Sequence, residues 1–392
     1  MSAAFSAFAP PSRPSLGAAH TIPEILGQPD LWQATWEGLC QEKKNLGAFM
    51  AESLLASARE VVLTGAGSSA FIGDLLQGYY SRRLKRCVRA VPTTDIVTNP
   101  DECFAQNAPT LFLSFGRSGD SPESIAALDR ADECLSDVRH LIITCNPSGD
   151  LANHPTKHPR AVFVLPPKAD DKGLAMTGSF TSMALAGLLM ADLDHLEDQG
   201  SRVQLMAAAA RRLLSTEGER FRELARLGAR RVIFLGAGAL KGAARECHLK
   251  VQELTNGSVM CSYDSFLGFR HGPKAAIDAT TLLVFLFSGR SGQKAYEQDL
   301  VKEIRAGHLG CFRLGVGEGL MAHEGPEATI ALDAEGLLRD EERAICSVLV
   351  AQILGVELSI SQGLMPDNPS PSGSISRVVQ GVTIYPRIHD LL

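Results

Sequence analysis

The string Gly-Arg-Ser-Gly occurs twice in this chain, at 116–119 and 289–292, and each copy follows a strand-like apolar run. Thr110-Leu-Phe-Leu-Ser114 and Phe115 lead into the first copy, Leu282–Ser288 into the second. Upstream of each sits another matched pair. Val61–Thr64 runs into Gly65-Ala66-Gly67, and Val232–Leu235 runs into Gly236-Ala237-Gly238. The glycine pairs are 171 residues apart (Gly65 to Gly236) and the longer strings 173 (Gly116 to Gly289). Two landmarks in one order at nearly one offset indicate a duplicated fold. Glycines and hydroxyl residues between a strand and a helix also suit an anion such as a phosphate.

At 392 residues the chain is long enough for two ordinary domains, and 45% hydrophobic with 21% charged residues supports a sizeable core. The net charge is −6, with no long run of one sign, which argues against nucleic acid or an anionic membrane as partner. The charge of any ligand must then be met locally. The longest apolar stretch, Met183–Ala191, is too short to span a bilayer. Residues 1–20 read as a disordered leader, because Met1–Pro14 is rich in Ala, Ser and Pro and lacks the apolar run of a signal peptide. Nine cysteines, an odd number without a Cys-x-x-Cys pair, point to buried thiols in a reducing, cytoplasmic setting. No His/Asp cluster has metal-ligand spacing, and no metal or other cofactor is expected.

The order of elements follows from periodicity. Ile22–Ala58 reads as helical. Strands are expected at 61–63, 88–91, 111–115, 141–144 and 161–165, with helices at 71–84, 122–133 and 180–193. A charged linker helix covers 211–231. Strands at 232–235, 281–287 and 310–314 then alternate with helices at 242–254, 296–305 and 341–361. Short continuous apolar strands between amphipathic helices make parallel sheets covered on both faces. Domain boundaries are placed at 21–215 and 216–364, followed by a turn-rich tail, 365–392.

Three loops of the first half are rich in hydroxyls. In Ser114–Ser124 the strand ends at Phe115, Gly116 and Gly119 permit unusual dihedrals, and Ser121-Pro122 has the form of a helix start. Ser118 and Ser121 would donate hydroxyls to a phosphate and Arg117 would add charge. Gly65-Ala-Gly67-Ser68-Ser69-Ala70 matches the dinucleotide pattern G-x-G-x-x-A, but the acid expected about 20 residues on is poorly placed at Asp95. Met176-Thr177-Gly178-Ser179 is the third loop. Each alone reads equally well as a capped helix; three at the strand ends of one domain are harder to dismiss.

Proton chemistry has fewer candidates. Glu246, Lys250 and Glu253 share one face of a helix, which also fits a surface ladder of ion pairs. Asn256-Gly257 ends that helix. His271-Gly272-Pro273 precedes another helix start, where a lone histidine is more often structural or solvated.

Taken together, these residues resemble the sugar isomerase (SIS) domain family, present in tandem. The three first-half loops match its phosphosugar loops, and Glu246-x3-Lys250-x2-Glu253 with His271-Gly-Pro273 resembles the isomerase half of glucosamine-6-phosphate synthase. The tail Pro366–Gly373 with Arg377–Thr383 is closer still to the AgaS branch of galactosamine-6-phosphate deaminases and tagatose-6-phosphate ketose/aldose isomerases. The resemblance covers residues 40 to 386. With no glutaminase domain in this sequence, synthesis from glutamine is not expected.

The resemblance implies two flavodoxin-like α/β domains, each a five-stranded parallel sheet flanked by helices. It implies a phosphate held by Gly67, Ser68, Ser69, Arg117, Ser118 and Ser121 with Thr177 and Ser179, and Arg377 from a tail that closes on the site. Glu253 would be the base at carbons 1 and 2. His271 would open the ring from the neighbouring subunit of a homodimer or larger homo-oligomer, with Lys250 and Glu246 alongside. Three departures from the synthase pattern stand out: Gly116 replaces a serine, Gln380 replaces a lysine for which Arg377 is the substitute, and the gap from Glu253 to His271 is longer. The expected substrate is a hexosamine or hexose 6-phosphate. The leading function is conversion of galactosamine 6-phosphate to tagatose 6-phosphate and ammonia. The alternatives are a glucosamine-6-phosphate deaminase, a plain ketose/aldose isomerase and a non-catalytic phosphosugar sensor. A nucleotide-dependent oxidoreductase, resting on Gly65 and Gly67 alone, is the weakest.

Overall fold

A computed structural model describes residues 17–56, 58–318, 325–333, 335–379 and 381–387. Most of the expected leader, and Gln380, lie outside them. The first half holds β1 (Glu60–Thr64), β2 (Cys87–Ala90), β3 (Thr110–Gly116), β4 (Val138–Thr144) and β5 (Arg160–Val164). The second holds β6 (Arg231–Leu235), β7 (Met260–Asp264), β8 (Thr281–Leu286), β9 (Phe312–Val316) and β10 (Ala328–Ile330). Sheet orders are β2-β1-β3-β4-β5 and β10-β9-β8-β6-β7, every pairing parallel. Written from the first strand of each half, both read 2-1-3-4-5, the flavodoxin-like order. The register repeats too: Glu60 pairs with Thr110, and Arg231 with Thr281.

The main helices are α1 (Gln28–Ala56), α2 (Ser68–Leu84), α3 (Pro122–Cys134), α4 (Gly178–Met190), α5 (Gly200–Thr216), α6 (Ala239–Leu254), α7 (Ser291–Ala306) and α8 (Asp340–Ser361), with shorter helices such as Gly218–Arg226 beside them. Their burial follows their sequences. Every residue of α4 is buried, because it is apolar all round, and so is α8 from Asp340 to Ser359, whose charged first turn is paired with Arg82, Arg202 and Glu318 and whose remainder is mostly apolar. The sequence reading singled out Met183–Ala191 as the longest apolar stretch. The longer apolar helix is α8, 22 residues, which by length and composition passes for a membrane span yet lies packed inside the protein.

One apolar core runs through both halves, from Leu63 and Phe115 on one side to Phe234 and Val284 on the other, with a smaller cluster packed on the other face of each sheet. Its centre is the crossing of α2 and α6. A Cβ on Gly242 would stand 2.5 Å from the backbone nitrogen of Leu75, so the two helices meet backbone to backbone where only glycine fits. On the far side α8 crosses α6 at Gly355, close to the Lys250 carbonyl. All nine cysteines are free.

The two halves start their central helices alike. Gly67 (φ 55°, ψ −128°) and Gly238 (φ 57°, ψ −127°) adopt the same left-handed-side conformation, which side chains rarely tolerate. Helix α6 begins at Ala239 rather than Gly242, and Asn256 and Gly257, both at positive φ, stop it as expected.

Candidate active site

In an open parallel sheet, ligands bind beyond the carboxyl ends of the strands where their order reverses. In the first half that point lies between β1 and β3. A cavity of about 540 Å³ opens there, lined by the loops Ala66–Ser69 and Gly116–Ser121. Glu253 and Leu249 of α6 form its floor from the second half, and tail residues 373–379 form a wall. Gly67, Ser68, Ser69, Arg117, Ser118, Ser121, Glu253 and Arg377 all reach this cavity. Thr177, Ser179, Glu246, Lys250 and His271 are not among its lining residues.

A phosphate only accepts hydrogen bonds, so a hydroxyl serves it only if its single proton is free. That test divides the serines. Ser68 donates to Glu246 Oε1 at 3.1 Å and Ser121 to Glu123 Oε2 at 2.7 Å. Thr177 and Ser179 donate to Asp171 at 2.9 and 2.6 Å. In contrast, Ser118 Oγ accepts from the Asp120 amide at 3.2 Å, which leaves its proton available. Among the described residues the Ser69 hydroxyl donates to nothing, and neither do the amides of Ser118 and Gly119.

Asp171 explains the third loop. Its carboxylate takes the amides of Thr177, Gly178 and Ser179 at 2.7, 3.1 and 2.9 Å as well as the two hydroxyls. The start of α4 is thereby satisfied internally, by an acid six residues upstream of Thr177 that the sequence reading did not single out. Ser121 likewise precedes α3 without making a side-chain cap, since its hydroxyl turns to Glu123.

Gly116 has a steric reason. A Cβ there would lie 2.8 Å from Leu151 Cδ2, so a serine needs a smaller neighbour than this chain provides. Arg117 is buried and is held by carbonyls, Leu174 O at 3.2 Å and Arg377 O. Burial first, and then the nearby Arg377, pull its guanidinium below its ordinary pKa. Arg377 donates to the Asp171 carbonyl at 2.7 Å and pairs with Asp170, which fixes the tail wall.

The row on α6 is not a surface ladder. Glu246 and Lys250 are fully buried, and only Glu253, about a quarter exposed, faces the cavity. Lys250 Nζ lies 2.5 Å from Glu253 Oε2 and 3.3 Å from Glu246 Oε1. Burial alone would lower the ammonium's pKa, but Glu246 and Glu253 outweigh it and hold it above its ordinary value. Burial pushes Glu246 up to about 7 against the pull of Lys250, with Glu253 adding to the rise. Glu246 Oε2 is buried without a partner. His271 lies elsewhere, exposed on the surface in the turn after β7.

The second Gly-Arg-Ser-Gly loop is closed. Asp340, the first residue of α8, accepts from the Ser288 hydroxyl at 2.7 Å and the Gly289 amide at 2.8 Å. Glu297 accepts from the Ser288 amide at 2.9 Å, and Arg290 lies 3.3 Å from Asp340. Carboxylates of the chain itself thus occupy the donors of Ser288 and Gly289 at the head of this loop.

No family model matches the chain. The AgaS protein of Streptomyces coelicolor is 43% identical over 94% of this chain and 96% of its own length. The D-galactosamine-6-phosphate deaminase AgaS of a Shewanella species is 36% identical over 94% and 92%. Among solved structures, the tagatose-6-phosphate ketose/aldose isomerase of Escherichia coli superposes with a TM-score of 0.86 at 32% identity, covering 97% of this chain and 99% of that one.

Proposed function

The chain belongs to the AgaS family of tandem SIS-domain proteins, and we propose that it converts galactosamine 6-phosphate and water to tagatose 6-phosphate and ammonia. The observation that carries this reading is a carboxylate, Glu253, held by a buried ammonium and facing a cavity whose opposite wall offers free hydroxyl and amide protons. The Ser118 and Ser69 hydroxyls, with the Ser118 and Gly119 amides, bind the phosphate. Arg117 and Arg377 add positive charge beside it.

Glu253 removes the proton from carbon 2 of the open aldehyde form. The enolamine is reprotonated at carbon 1, and water adds to the resulting ketimine carbon. Loss of ammonia then leaves the ketose. A positioned base of this kind contributes about 10²–10⁴-fold. Lys250 pairs with Glu253 and orients it. His271, outside the cavity of its own chain, acts on the ring oxygen in the cavity of a second copy, which makes the working unit a homodimer or larger homo-oligomer in the cytoplasm.

Ammonia release from galactosamine 6-phosphate and glucosamine 6-phosphate, compared on purified protein, tests the reaction. Ammonia with tagatose 6-phosphate is the expected result. Ammonia from the gluco epimer alone would reassign the substrate. Aldose–ketose interconversion without ammonia would make the enzyme a plain isomerase, the activity named for the E. coli structure.

A further inference from the structure

We propose that Ser68 is a positioning residue for the proton transfer rather than a ligand of the phosphate. The inference rests on the deaminase/isomerase reading above and concerns how the two halves of the site are joined. Ser68 opens α2 in the first half, immediately before Ser69 and at the rim of the phosphate loops. Its neighbourhood suggests an anion ligand, but its hydroxyl points the other way. It crosses the joint between the halves and donates to Glu246 Oε1 at 3.1 Å, 178 residues further along the chain.

Its one proton is therefore engaged, and a phosphate oxygen, which only accepts, gains nothing from the lone pairs that remain. Moving the proton to the phosphate would leave Glu246 with less than it has. Glu246 already buries one oxygen, Oε2, without any partner, and its other oxygen has Ser68 and Lys250 alone. Such a group is costly to strip further. Lys250 reaches from Glu246 to Glu253. Ser68 thus anchors the far end of a chain of contacts, Ser68–Glu246–Lys250–Glu253, whose near end is the base. The link ties the helix carrying the phosphate loop to the helix carrying the base, next to their backbone contact at Gly242 and Leu75.

The test compares Ser68→Ala, Ser68→Thr and Ser69→Ala, each with kcat, KM, and the inhibition constant of inorganic phosphate. Exchange of the carbon-2 hydrogen with deuterated water is followed by NMR alongside. Loss of one hydrogen bond to a charged group corresponds to about 10- to 100-fold in rate. Ser68→Ala is expected to lower kcat and the exchange rate by that factor, with KM and the phosphate constant within about twofold of wild type. Ser68→Thr, which keeps the hydroxyl, is expected to recover most of the loss. Ser69→Ala is expected to do the reverse, raising KM and the phosphate constant about tenfold or more.

If Ser68→Ala instead weakens phosphate while kcat holds, Ser68 is a phosphate ligand and the proposal is overturned. An unchanged kcat and exchange rate overturn it as well. Wild-type protein that exchanges the carbon-2 hydrogen without releasing ammonia overturns the deaminase reading alone, and the exchange rates still decide the part played by Ser68. The Thr variant guards against a misfolded alanine variant, whose thermal midpoint is expected within about 3 °C of wild type.

Discussion

The two Gly-Arg-Ser-Gly loops begin as copies and end as opposites. Both follow the third strand of a 2-1-3-4-5 sheet, beside a helix entered through a glycine near φ 55°. In the first half Asp171 accepts from residues 177–179 at the start of α4, and none of its bonds falls on residues 116–119. In the second half Asp340 is swung into the loop itself and takes the Ser288 hydroxyl and Gly289 amide. The central helices diverge in the same sense. At the offset of 171 residues that relates Gly65 to Gly236, Glu253 corresponds to Arg82, and Arg82 pairs with Glu341. The acid ahead of α4 thus serves that helix start, while the acid that opens α8 serves the loop of its own half. Glu253 reaches the cavity of the first half from the second half, whose own loop is tied to Asp340.

The comparison breaks first at Glu253 and Arg82. Glu253→Gln is expected to lower kcat by about 10²–10⁴-fold, while Arg82→Gln leaves it within about twofold. Equal losses in a steady-state assay would mean that both halves turn over substrate. Next come the loop serines. Ser118→Ala is expected to raise KM for the sugar phosphate by about 10- to 100-fold, and Ser291→Ala to leave it unchanged. A KM effect at Ser291 would reveal a second working cradle.

A smaller effect is expected from Asp340→Asn. It weakens the bonds that close the second loop and costs about 1–3 kcal/mol in denaturant unfolding, with kcat and KM intact. The smallest concerns pH. Burial raises Glu297 to about 7, with Asp340 adding to the rise against the pull of the Ser288 amide. A carboxyl whose folded pKa lies above its unfolded value gives stability that is complete below about 4.5 and is lost as pH rises through about 7. Glu297→Gln is therefore expected to flatten the fall in thermal midpoint across that window. A slope unchanged from wild type would assign it to other groups, Glu246 first, since it is raised in the same way.

Much of this was legible in the sequence, and the unread part has a common cause. Runs such as Leu111–Phe115 and Leu282–Leu286 are buried on both faces, so composition alone marks them as inner strands. Met260–Asp264 and Ala328–Ile330 were not found, because they are edge strands, partly exposed, and the second has three residues. In the site, the loop glycines and the Glu246–Lys250–Glu253 spacing were visible, since both are local. The direction of each hydroxyl was not. Ser68, Ser121, Thr177 and Ser179 look alike in a motif, and what separates them from Ser118 is an acid supplied from another place: Glu246, Glu123 or Asp171. Burial of Lys250 was equally hidden, because it depends on α8 closing over α6 at Gly355.

The bare crossing at Gly242 and Leu75 has one more consequence. The spacing between the Ser118 loop and Glu253 is set across a joint, and with no side chain between the helices that joint has no slack. It works as a ruler between the loops of one half and the carboxylate of the other. Exchanging one half for that of a distant relative would reset the ruler even if every loop residue were kept. The two halves are therefore expected to change together, as matched parts rather than interchangeable ones.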